Sequence, residues 1–195
     1  PPEKEIHYFD RSCKYPSNNT LSKKNPFLRC LNLKQTFFRL KKIWEHLLNL
    51  DFKQFYWYLN FYFSNYNDNW YLSLFKGAER NNYCGEITTS YAILNKFDIE
   101  NVFKIAPKAK LIFLLRNPVE RAWSQYRYSM TNEKNFNEIE LDLNSIKEFI
   151  NSDLQHLRSN YSKTIENYLT FYKSDNIMLG FYDAISDSPE TLLVA

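Results

Sequence analysis

Two small groups of residues in this sequence have the types and the spacing to do chemistry. The first is Glu5 and His7, within E-I-H-Y-F-D at 5–10. A carboxylate and an imidazole two positions apart on an extended segment point the same way, toward one reacting centre, where a proton could be taken up. The plainer alternative is an exposed loop carboxylate beside a half-buried histidine. The second group is Arg116, Arg121 and Ser124, within R-N-P-V-E-R-A-W-S-Q-Y at 116–126. An arginine facing a hydroxyl about two helical turns along suits a phosphate monoester: the guanidinium forks onto two oxygens and the serine donates to another. Here the plainer alternative pairs both arginines with carboxylates and leaves Ser124 as a small helix-packing residue.

The elements around 116–126 would place such a site well. The unbroken apolar run Leu111 to Leu115 reads as a strand buried on both faces of a parallel sheet. Asn117 can cap a helix and Pro118 suits its first turn, so Arg116 stands at the carboxyl end of a strand, where open α/β sheets bind ligands. In that helix Arg121, Ser124, Gln125 and Tyr128 share one polar face, while Ala122, Trp123, Tyr126 and Met130 pack elsewhere. A second buried strand is expected at 176–182, with helices near 145–157 and 161–172 and a final one from Ser188 and Pro189.

Upstream, 33–60 reads as mostly helix. Phe37, Phe38, Leu40, Ile43, Trp44, Leu47 and Leu48 recur at helical spacing, and Asp51 opens a second helix through Phe52, Phe55, Tyr58 and Leu59. Both stripes are expected to be core. Ser90 and Asp98 are candidate helix caps, the latter for a crossover through Val102, Phe103 and Ile105. The segments 11–32 and 132–144 read as polar surface connections, the first a candidate lid.

Composition bounds the function. The 195 residues suffice for one domain, 1–195, with a substantial core, and 44% hydrophobic and 18% aromatic residues exclude a disordered chain. A net charge of +3, with both signs interspersed, argues for no nucleic-acid partner. The cysteines at 13, 30 and 84 form no C-x-x-C pair and no zinc spacing, so reduced thiols and no metal are expected. No stretch has the ~18 apolar residues of a membrane helix, and no signal peptide is evident, so the expectation is a cytoplasmic protein with no membrane partner. Three glycines, at 77, 85 and 180, leave no G-x-x-x-x-G-K or G-x-G-x-x-G phosphate loop.

R-N-P-V-E-R-A-W-S-Q-Y resembles the 3′-phosphate-binding segment of sulfotransferases that use 3′-phosphoadenosine 5′-phosphosulfate (PAPS), especially the bacterial and heparan-sulfate type. Arg116 and Ser124 fall on that family's two 3′-phosphate ligands. Arg121 also matches, where a structural ion pair is the preferred reading. K-E-I-H-Y-F-D resembles the segment that follows the family's phosphosulfate loop and helix, with Glu5 on the proposed catalytic base of the heparan-sulfate enzymes and His7 on a second active-site position. C-G-E-I-T-T-S-Y, at 84–91, resembles the family's G-E-I-T-P-x-Y segment, and W-Y-L-S-L-F before it also fits. Thr89 stands where proline is usual, and Ile87 where the heparan-sulfate enzymes carry a lysine that helps hold the sulfuryl group. Ile87 donates no hydrogen bond, so the bacterial variety is the nearer likeness. Tyr161 matches a tyrosine preceding a helix, read as packing first and as an adenine contact second.

The resemblance implies an α/β fold, a parallel β-sheet flanked by helices and related to the P-loop nucleotide-binding architecture, apparently truncated at both ends. The family's first strand and K-x-G-T-T loop, and its C-terminal loop over the nucleotide, are not in the given sequence. The implied reaction is transfer of a sulfuryl group from PAPS to an acceptor hydroxyl or amine, the acceptor being a carbohydrate or a small molecule, without metal. Arg116 and Ser124 would anchor the nucleotide, and Glu5 would take the acceptor proton with His7 assisting. The rival class is a noncatalytic nucleotide-binding remnant of the same fold; a nucleoside kinase is disfavoured because no magnesium-holding motif accompanies the arginine.

Overall fold

The computed structural model describes residues 2–3, 5–16, 33–76, 83–133 and 142–190. Most of the 11–32 connection, the centre of the 132–144 connection and the end of the helix expected from Ser188 lie outside the described residues. The chain divides into two compact units, Pro1–Leu94 and Asn95–Ala195.

The first unit is helical and aromatic. It holds α1 (Leu33–Leu48), α2 (Phe52–Phe63), α3 (Asp68–Ser73) and a 3-10 turn (Thr89–Ile93). Asp51 caps α2 as its sequence position suggests, its carboxylate accepting from the Gln54 amide at 3.1 Å. α1 ends at a left-handed Leu50 (φ 56°), closed by the Asp51 amide donating to the His46 carbonyl at 2.9 Å, a position usually given to glycine. The short apolar segment after the polar break is helix α3, capped by Asn67, which accepts from the Trp70 amide at 2.9 Å. Ser90 caps nothing: the 3-10 turn begins one residue earlier and Ser90 is buried within it.

Only part of the expected aromatic core is core. Tyr58, Phe61, Tyr62, Tyr66, Trp70 and Tyr71 are buried, with Tyr66 stacked on Trp70 at 4.0 Å. Full burial of Phe61 alone contributes about 1.5–3 kcal/mol. The polar atoms of these rings find backbone or carboxylate acceptors: the Trp70 indole donates to the Asn60 carbonyl at 3.0 Å and the Tyr66 hydroxyl to that of Phe61 at 2.9 Å, while the Tyr62 and Tyr71 hydroxyls donate to the carboxylates of Glu3 and Glu86 at 3.3 and 2.7 Å. On α1, however, Phe37 and Trp44 are 71% and 59% exposed, and Phe38, Leu40 and Leu48 are exposed with them. At 100° per residue Arg39 and Ile43 share the face that is buried, and there α1 meets α2 through polar side chains: Arg39 lies over Tyr62, Lys42 over Tyr58, and the His46 ring stacks on Tyr58 at 5.2 Å. Phe52, the first residue of the second expected stripe, is exposed as well.

The second unit is α/β. It contains α4 (Lys96–Ile105), β1 (Leu111–Leu115), α5 (Pro118–Glu133), α6 (Leu143–Ile150), α7 (Asp153–Ser159), α8 (Tyr161–Leu169), β2 (Ile177–Phe181) and α9 (Tyr182–Asp187). β1 and β2 pair in parallel, Leu111 opposite Ile177 and Leu115 opposite Phe181, so both expected strands form, although Leu179 and Phe181 of β2 are exposed and not buried as expected. Helices flank them. Asn95, and not Asp98, caps α4: its side chain accepts from the Asp98 amide at 2.9 Å, while Asp98 is buried in the first turn. Lys110 fastens the entry to β1 by donating to the Asp175 carbonyl and the Asn176 side chain, each at 2.9 Å.

β1 is not covered on both faces. Ile112 and Leu114 are 65% and 54% exposed, whereas Phe113, on the opposite face, meets the buried Tyr168 edge to face at 5.1 Å. A run of five apolar residues cannot reveal this, because its period-2 alternation is invisible when every position is apolar. No described helix is long and apolar enough to cross a membrane.

Candidate functional site

In the first unit, Glu5 and His7 do meet, although not through an extended strand. His7 adopts a left-handed backbone (φ 56°), a conformation that costs a non-glycine residue about 1–3 kcal/mol. Its Nε2 lies 3.2 Å from a Glu5 carboxylate oxygen and its Nδ1 lies 2.7 Å from the Asp10 carboxylate. The three side chains form a line running outward: Asp10 fully buried, His7 almost so, and the Glu5 side chain 47% exposed. Thr89 Oγ1 also reaches Glu5, donating at 3.5 Å. A buried carboxylate that orients an imidazole, which in turn contacts an open carboxylate, is an arrangement for moving or holding a proton at the outer end. Asp10 was assigned no role from the sequence. A carboxylate three residues past a histidine was the available signal, but it needs the left-handed turn at His7 to bring it round.

Burial pulls the His7 pKa down, but hydrogen bonds and charge from Asp10 and Glu5 together outweigh it and raise it above the ordinary 6.5. The histidine therefore binds a proton more tightly folded than unfolded. The stability it contributes should be fully present below pH 6.5 and lost as pH rises through the raised folded value. Chemical denaturation across pH 5 to 9 checks this: the decline should be seen in the parent and be absent in His7→Gln, and parallel profiles would contradict it.

In the second unit, Asn117 caps α5, accepting from the Val119 amide at 3.0 Å, and Arg116 sits between strand end and cap. Its guanidinium lies over the Tyr182 ring at 4.6 Å, and its Nε donates to Glu120 at 3.4 Å. The two terminal nitrogens make no hydrogen bond among the described residues, and the side chain is 30% exposed. This is a guanidinium fork held by its stem with its tips available to an anion. Ser124 lies six residues into the same helix, about 9 Å along its axis from Pro118, and is half-buried.

Arg121 is where the sequence misleads. Among the described residues the expected ion pair does not form: the guanidinium donates to Gln125 Oε1 at 2.9 Å, Gln155 Oε1 at 2.8 Å and Ser159 Oγ at 2.9 Å, all neutral acceptors. Its Nε is buried without a partner, and burial holds it below the usual guanidinium pKa while nearby Tyr161 pulls the other way. The reason is topological, since the helix packed against α5 here is α7, which presents an amide and a hydroxyl where a carboxylate was supposed. Tyr161 makes a specific polar contact besides its packing. It opens α8 and its hydroxyl donates to the Arg116 carbonyl at 2.9 Å, tying that helix to the strand end from which Arg116 projects.

Similarity to known proteins covers the two units to different extents. The family described as "Sulfotransferase domain" matches residues 97–192, which lie within the second unit. A stretch of 77 residues is 40% identical to the membrane-associated sulfotransferase kil1 of Dictyostelium discoideum; it makes up 38% of this chain and only 16% of that protein. A crystal structure of a sulfotransferase from Alicyclobacillus acidocaldarius matches 98% of this chain and 66% of its own length, with a TM-score of 0.59 at 19% identity, a likeness that speaks for the fold. With a parallel sheet flanked by helices and a fold like that of a solved sulfotransferase over nearly the whole chain, residues 97–192, the segment bearing Arg116 and Ser124, belong to the sulfotransferase domain family.

Proposed function

We propose that the protein transfers a sulfuryl group from PAPS to an acceptor hydroxyl or amine. The observation that carries the reading is the Asp10–His7–Glu5 line, which holds a carboxylate beside an imidazole yet leaves it open to a substrate. Glu5 takes the acceptor's proton as the acceptor oxygen or nitrogen attacks, and His7, anchored by Asp10, keeps the carboxylate oriented. Arg116 and Ser124 hold the nucleotide's 3′-phosphate, the arginine by its two terminal nitrogens and the serine by its hydroxyl. The residues present fit such a group, because those terminal nitrogens have no partner among the described residues. PAPS supplies the sulfuryl group, and the chain's own residues supply position and charge.

The acceptor is a carbohydrate or another small molecule. A cytoplasmic location is part of this reading, and fractionation of the full-length protein checks it; the Dictyostelium relative is by its name membrane-associated. The decisive experiment is transfer of radiolabelled sulfate from PAPS to a panel of sugars, alcohols and amines by the full-length protein. It is paired with calorimetry of adenosine 3′,5′-bisphosphate against adenosine 5′-monophosphate. Transfer together with clear preference for the bisphosphate supports the reading. Preference without transfer favours the binding remnant, and neither overturns both.

A further inference from the structure

Among the described residues no strand lies beside the segment carrying Glu5 and His7 to hold its backbone. Its amides end on side chains from the 84–91 segment. The Ile6 amide donates to Glu86 Oε2 at 3.3 Å, and the amides of Tyr8 and Phe9 donate to the Tyr91 hydroxyl at 3.0 and 3.4 Å. The Tyr91 hydroxyl in turn donates to Glu86 Oε1 at 3.0 Å. Tyr71 adds a second donor to Oε1 at 2.7 Å, and Thr88 a second to Oε2 at 2.8 Å. Glu86 thus accepts four hydrogen bonds, two on each oxygen, which suits an ionised carboxylate, an acceptor with no proton of its own to place. His7, with φ 56°, lies between the amides so held.

We propose that Glu86, acting directly on Ile6 and through Tyr91 on Tyr8 and Phe9, is the positioning residue that fixes the left-handed backbone at His7 and with it the contact between His7 and Glu5. The proposal rests on the reading of Glu5 and His7 as the proton-handling pair. Glu86 itself has no part in the chemistry, since its oxygens are taken up by the four donors. The geometry also explains why a carboxylate is kept here although burial raises its pKa: an amide would turn two hydrogens toward donors that need an acceptor. Tyr71 links the clamp to the core beneath, its ring stacked on Tyr8 at 4.8 Å.

The test uses Glu86→Gln and the milder Tyr91→Phe, both in the full-length protein, with folding checked by circular dichroism. The His7 ring titration is followed by NMR and identified by its loss in His7→Gln. A structural role remote from the pair would leave that titration alone. A positioning role predicts that it falls toward 6.5 in both variants, as the contacts of the ring with Asp10 and Glu5 loosen. Turnover should fall by about tenfold or more in Glu86→Gln with less than about twofold change in the KM for PAPS, as for a displaced catalytic group. His7 titrating as in the parent in folded Tyr91→Phe, or in folded Glu86→Gln, overturns the proposal. If the titration shifts in both but the parent transfers no sulfate, the clamp stands and the proton-transfer reading of the pair falls.

Discussion

Arg116→Ala is expected to weaken binding of adenosine 3′,5′-bisphosphate by roughly 2–4 kcal/mol, about 30- to 800-fold, as for loss of a charge-assisted contact to phosphate. The contacts Arg116 makes within the protein are too weak to blur the result. Its pairing with Glu120 is an i,i+4 contact at 3.4 Å to a carboxylate that is 57% exposed, of a kind that adds at most a few tenths of a kcal/mol to stability. The Tyr182 ring beneath the guanidinium orders it without consuming its terminal nitrogens. Arg116→Lys should therefore restore charge but only part of the affinity, because a point ammonium cannot fork onto two oxygens. Calorimetry of the parent and both variants checks this, and equal affinity in Arg116→Ala would remove Arg116 from the site.

Glu5→Gln is the second change with a large expected effect. In the full-length protein it should leave nucleotide affinity unaltered and lower turnover by ~100-fold or more, since a carboxamide cannot accept the acceptor's proton. The amide is close to isosteric, and Glu5 stands at the exposed end of the line, so the buried Asp10–His7 contact at 2.7 Å should survive it. A binding experiment and a sulfate-transfer assay on the same preparation separate the two effects. Parental turnover in Glu5→Gln would place the base elsewhere, with His7 the first residue to replace.

The sequence was most informative where one residue type at one position decides the local outcome. Asp51 as a cap and Asn117 and Pro118 at the start of a helix follow from backbone preferences that need no distant partner, and both form; the two expected apolar strands form as well, by pairing with each other across 66 positions. It was least informative about faces and partners. The periodicity of Phe37, Trp44 and Leu48 announces an apolar helix face but not whether anything covers it, and in α1 the covered face is the one bearing Arg39 and Ile43. Arg121 looked like half of an ion pair because its partner could not be known until α7 brought Gln155 and Ser159 against it.

The likeness to sulfotransferases was legible in linear motifs, and the run carrying Arg116 and Ser124 lies within the matched domain at 97–192. What tertiary structure alone decided is how such residues are held. Asp10 reaches His7 only because His7 turns left-handed, and Glu86 reaches Ile6 across 80 positions of sequence. Tyr161 meets the Arg116 carbonyl across 45. Hydrogen bonds between residues so far apart leave no periodicity to read: local preferences specify the element, and only the closure of the chain on itself selects the partner.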